Sequence, residues 1–265
     1  MATNLFTIVT DRGHAPLRLA MPFEHRGQRP VTGRVTIVRA RYAQRDDHGI
    51  VEPQAWPVFA DYFFNRTGVE LSTRDVDLSS IGRVGLPLVH LAGVEPVKLS
   101  KSEHDAIKKY TDNGGTLLVE SVGGHGEFAA SIELQLTQSL AIPLVTLNHN
   151  SPPLKGVAIR HRRYVIEKNN NTPARRMSAF MIGNRPAVIV CRHDLSLGLL
   201  GVRHWGVAGY QRQTARELIA ALVEHVTTPE ATLWPDLSDQ PEASAASVGD
   251  STPSEDEGAL PVISK

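Results

Sequence analysis

The apolar positions of this chain fall into two kinds of run. Short continuous runs occupy residues 35–38, within an extended stretch that reaches Tyr42, then residues 86–91, closed by Gly93, residues 116–119 and residues 187–191. Such runs, bounded by turn formers and lacking polar alternation, predict strands buried on both faces. Between them the period changes. Trp56, Phe59, Ala60, Phe63 and Phe64 recur at i, i+3, i+4, i+7 and i+8, and Pro57 suits a first turn, so the spacing predicts a helix from Ala55 that stops before Gly68. Ser100 with Glu103 has capping-box spacing, and the helix it opens ends at Asn113-Gly114. Phe128, Ile132 and Leu136 mark a third helix, and Ala215, Leu218, Ile219, Leu222, Val223 and Val226 a fourth. Buried strands alternating with one-faced helices predict an α/β protein with an open, doubly wound, mainly parallel sheet.

Composition changes this picture at the ends. The 265 residues are 41% hydrophobic, with 28 basic and 28 acidic side chains and one cysteine. A single cysteine excludes an internal disulfide and a thiolate metal cluster, and no run has the roughly 20 apolar residues of a membrane-spanning helix. Residues 229–265 hold eight acidic side chains, seven of them from Trp234 on, and one basic, are rich in Ser and Pro, and read as an acidic disordered tail. Residues 1–32 lack periodicity and read as an N-terminal arm, which leaves 33–228 as the α/β domain. With no apolar run and small-residue cleavage site near the start, the expected compartment is the cytoplasm. Without the tail the charge is modestly positive, and nucleic acid is not the expected partner.

One set of segments resembles a known bacterial family. Residues 35–42, the Ala55-Trp56-Pro57 helix ending Arg66-Thr67-Gly68-Val69, the strand before Ala92-Gly93, residues 113–119 and Arg192-His193-Asp194-Leu195 together resemble the domain-of-unknown-function family numbered 4159. The resemblance covers roughly residues 33–227. It implies a flavodoxin-like sheet similar to class I glutamine amidotransferases and brings no settled activity. By that likeness the nucleophile's turn is Val119-Glu120-Ser121-Val122-Gly123-Gly124-His125, with Ser121 standing where those enzymes carry cysteine. Cys191 follows a different strand, so the usual glutaminase nucleophile is absent. An unactivated serine does not replace a thiolate.

The candidate chemistry therefore divides. A Gly-x-Ser-x-Gly elbow is half present, because Val119 stands two residues before Ser121. His193 and Asp194 are adjacent, an arrangement that points them to opposite sides of an extended chain. His90, His125, His149, His161, His193 and His204 are numerous, but no pair has metal-ligand spacing, so no metal and no cofactor is expected. Residues 155–176 carry seven basic side chains against Glu167, a loop able to clamp an anion or simply to lie in solvent.

The leading expectation is a non-catalytic module that binds a small ligand or a protein partner at the carboxyl edge of the sheet, through Gly93, Glu120, Ser121, Gly123, Gly124, His125 and Asp194. Uncovered amides at Gly123 and Gly124 would attract an anionic group and Glu120 an amine, and bulky substitution at Gly124 is expected to cost little stability unless that glycine has a positive φ. The alternative is a hydrolase using Ser121 with Glu120 and His193 or another nearby histidine.

Overall fold

The computed structural model describes residues 24–43, 50–147, 151, 154, 157, 161–163, 177–201 and 207–228. The acidic tail lies outside them, as do residues 1–23 of the arm. So do His149, His204 and most of the basic stretch, of which only Val157 and the backbone of residues 161–163 are included.

In chain order the elements are β1 (Gly33–Arg41), α1 (Ala55–Thr67), β2 (Val69–Asp77), a 3-10 turn (Leu78–Arg83), β3 (Leu88–Gly93), α2 (Lys101–Asp112), β4 (Thr116–Ser121), α3 (Glu127–Leu140), β5 (Leu144–Thr146), β6 (His161–Arg163), β7 (Ser178–Ile182), β8 (Arg185–Cys191), α4 (Ser196–Leu200), β9 (Ala208–Tyr210) and α5 (Arg212–Thr227). Seven strands form one sheet in the order β2-β1-β3-β4-β8-β7-β5, while β6 and β9 pair separately. The first five are parallel, and β7 and β5 extend the β8 side antiparallel. The sheet is thus mixed, mostly parallel, and consistent with a flavodoxin-like arrangement.

Alternation along the strands divides the core. Val38, Ala40, Val89, Leu91, Leu117, Val119, Val188 and Val190 bury one face against Ile107 and Tyr110 of α2 and Phe128, Ile132 and Leu136 of α3. On the other face stand Ile37, His90, Leu118 and Ile189, also buried, with Trp56 of α1 bonded to His90. The Ser100–Glu103 capping box forms in both directions.

Several elements went unannounced by the sequence. The edge strand β2 reads Val-Glu-Leu-Ser-Thr-Arg-Asp-Val-Asp, with too many polar positions to register as a buried run. Those charges suit an edge, where they discourage pairing with foreign strands. The strand predicted from Leu86 begins at Leu88, and its neighbour runs on to Ser121. Within the arm, the described residues 24–32 lie along α1: Gly27 N–H donates to Asn65 Oδ1 at 2.6 Å, Arg29 to Asn65 O at 2.7 Å, and the Arg26 guanidinium sits 3.9 Å over Phe64.

Candidate functional site

Parallel register brings the predicted residues to one edge. Ala92 pairs with Glu120 and Gly93 with Ser121, and Glu120 pairs with Cys191. The segment after β8 then folds over them.

Glu120 is the hub. It is buried, and its Oε1 accepts the backbone N–H groups of Leu195 and Ser196, both at 2.7 Å. Its Oε2 lies 2.9 Å from Ser196 Oγ and 2.8 Å from His90 Nε2. Burial pushes this carboxyl up, but the His90 contact and the two amides outweigh it and hold the group below the usual carboxylate range. His90 Nδ1 in turn receives the Trp56 indole N–H at 2.9 Å. Indole nitrogen only donates, so Nδ1 is the accepting nitrogen and Nε2 carries the hydrogen given to Glu120. Trp56 therefore selects the neutral Nε2–H tautomer, and both ring nitrogens of His90 are engaged.

Asp194 ties the same loops together. Its Oδ2 accepts Gly123 N–H and its Oδ1 accepts Leu197 N–H, each at 2.7 Å, so one carboxyl links the β4–α3 turn to the start of α4. Burial, followed by the charge of Glu120, raises it to about 8 against the pull of those amides.

Ser121 is fully buried, and its Oγ accepts Ala129 N–H at 2.8 Å, closing an open amide of α3. No imidazole hydrogen-bonds to it among the described residues. Cys191 is equally buried, donates to His193 O at 3.1 Å, and burial pushes its thiol far up. The His193 ring packs edge-on to Tyr210, centroids 5.8 Å apart.

The β4–α3 turn differs from the expected open cradle. Gly123 N–H goes to Asp194 and Gly124 N–H to Ser121 O at 3.2 Å. Gly124 has φ +74°, and a Cβ there would stand 1.6 Å from Ala208 O. Bulky substitution at Gly124 is therefore structurally expensive: the positive φ is the exception under which low cost was not expected. At Gly93 a Cβ would stand 2.3 Å from the Phe128 ring, so this glycine makes room for a core aromatic. His125, on the same turn, is exposed.

What stays open lies next door. Between the carboxyl ends of β1 and β3, a shallow cleft of about 10 Å³, room for one water, is walled by residues 39–42, Ile50, Val51, His90 and Ala92. In the order β2-β1-β3-β4-β8 this is where the chain reverses its direction of winding, the usual ligand position of open parallel sheets. Arg39 faces the cleft with Nε on Asp75 at 2.7 Å and Nη1 on Pro53 O at 2.8 Å, and Arg41 holds Asp77 at 2.9 Å. Trp56, Ser196, Arg39 and Arg41 escaped the sequence reading: Trp56 was counted only as part of an apolar stripe, whereas the Arg-x-Arg spacing on β1 was a usable signal. No group of acidic, histidine or cysteine side chains able to hold a metal occurs among the described residues.

The fold and its edge define an α/β protein with a mostly parallel sheet, a buried carboxylate hub and a cleft at the crossover. The match to the family model Domain of unknown function (DUF4159) spans residues 36–226, and the chain belongs to that family. No curated protein and no solved structure matches it.

Proposed function

We propose that this domain is a non-catalytic binding module whose small-ligand or partner site is the cleft between β1 and β3. The observation that carries this reading is the engagement of the carboxyl edge. Glu120 accepts from four donors, His90 uses both nitrogens, and the Ser121 hydroxyl closes a helix end. A nucleophile needs a base within reach of its proton, and no imidazole among the described residues hydrogen-bonds to Ser121. These side chains instead hold three loops beside a shallow cleft of about 10 Å³, room for one water, so a ligand or partner engages its rim. The likeness to amidotransferases belongs to the same proposal as a likeness of architecture, without their chemistry.

The test has two arms. A fluorophosphonate should leave Ser121 unlabelled, and a thermal-shift screen of nucleotides, amino acids and sugar acids should find compounds that raise the melting temperature, since binding to the native state stabilises it. Stoichiometric labelling abolished in Ser121→Ala would overturn the reading in favour of the hydrolase.

A further inference from the structure

Away from the cleft, we infer that the outer surface shared by α1 and α5 is a docking site for an extended segment of a partner protein with the pattern Glu-x-Arg-Gly. Residues 24–27 of this chain, Glu-His-Arg-Gly, fill it in cis. Glu24 and Arg26, two residues apart, both bear on the body of the domain, and each meets a complement there. The Glu24 carboxylate bonds to Arg216 and lies 3.5 Å from Arg212. The Arg26 guanidinium sits 3.9 Å over the Phe64 ring and reaches Glu70 at 2.5 Å.

The surface carries a carboxylate receptor and a main-chain clamp. Arg216 is 4% exposed, and its guanidinium lies 4.9 Å from the centroid of the Tyr62 ring. Among the described residues Glu24 is its only hydrogen-bond partner, because Nε and Nη2 have none. A guanidinium buried without a counter-charge is strongly unfavourable, so this pocket demands another carboxylate whenever the arm leaves. The way in is the one Glu24 takes, to Nη1. Asn65 reads the main chain: its Oδ1 accepts Gly27 N–H at 2.6 Å and its Nδ2 donates to His25 O at 2.9 Å. Pairing with main-chain groups gives affinity for an extended peptide whatever its side chains, which leaves specificity to the flanking charges. A Cβ at Gly27 would stand 3.1 Å from Asn65 Oδ1, which favours glycine after the arginine.

The arm is lightly held. Every residue from His25 to Thr32 is exposed, and Val31 keeps 43% of its surface open, so no apolar burial of its own side chains secures it. Segments tied down by exposed hydrogen bonds alone open at low free energy. Thr32 N–H is fixed to Gly68 O at 2.9 Å, just past the end of α1. A lifted arm therefore stays tethered beside its own surface at high effective concentration. An incoming segment competes with it, and needs both the carboxylate and the arginine to take its place.

The probe is a fluorescein-labelled peptide of residues 23–30, Phe-Glu-His-Arg-Gly-Gln-Arg-Pro, followed by anisotropy against the full chain. Glu24→Gln combined with Arg26→Gln weakens the arm in cis, and the peptide should bind this double variant saturably. Wild type, whose arm competes, should bind it about tenfold more weakly or worse, and the double variant should lose about as much when the peptide carries glutamine in place of its glutamate. In wild type, excess peptide should also free the arm and speed hydrogen exchange at the Gly27 amide, while the glutamine peptide should not. This exchange does not require the double variant to fold. No saturable binding to a folded double variant, equal binding of the two peptides, or Gly27 exchange unchanged by excess peptide overturns the proposal. A wild-type dimer that the peptide dissociates would assign the surface to the arm of a second copy and overturn the foreign partner.

Discussion

Glu120 shows how one buried charge is sustained by its surroundings. All of its donors come from other segments, β3 and the start of α4, so burying it ionised is tolerable only while those segments are assembled. Replacing it by glutamine aims an amide N–H₂ into a ring of donors, and Glu120→Gln should lose about 3 kcal/mol in urea unfolding at pH 7. The folded-state carboxyl lies below its ordinary value of 4.5. Its contribution is therefore fully present above that pH and disappears as pH falls through the folded value, so the gap between wild type and Glu120→Gln should narrow in acid. Asp194 runs the other way. Its carboxyl is raised from 3.8 to about 8, so its contribution is greatest below the unfolded value and is lost as pH rises through the folded one. The ¹³C signal of its carboxyl should accordingly titrate near pH 8. Trp56→Phe removes the hydrogen that fixes the His90 tautomer and should cost about 1–2 kcal/mol. In the wild type at pH 7, ¹⁵N shifts should show His90 Nε2 protonated and Nδ1 bare.

Among the elements, the β4–α3 turn is the most constrained. Gly124→Ala must accommodate a Cβ against Ala208 O at a positive φ, and should destabilise by about 3 kcal/mol or more. Ser121→Ala, losing one bond to a helix amide, should cost about 1 kcal/mol. Equal and small effects from both would mean that the turn is loose. The same turn marks the limit of what could be read in advance. Period and length identified α1, α2, α3, α5 and the buried strands, because packing against a sheet imposes those patterns locally. Strand β2 was missed because an edge strand needs few apolar residues, and β7 because its pairing with β8 is antiparallel and outside the alternating plan. The sequence placed Glu120, Ser121 and Asp194 at the carboxyl edge. It did not reveal that their hydrogen bonds close on one another, since the partners lie about 75 residues apart in the chain.

For the molecule as a whole, the mostly parallel sheet sends the ends of β1, β3, β4 and β8 to one edge, and the polar residues there divide by depth. The buried ones at β3, β4 and the segment after β8 bond to each other; those of β1 stay partly open. Among the described residues no helix is long and apolar enough to cross a membrane. The central claim, that the edge is structural at the β4–α3 turn and receptive at the cleft, is tested most directly by repeating the thermal-shift screen on two variants. Val51→Trp fills the cleft from a half-buried loop position, and His125→Ala trims the exposed side chain of the turn. The account predicts that stabilising compounds lose their effect on Val51→Trp and keep it on His125→Ala. Loss on His125→Ala with full retention on Val51→Trp would contradict it.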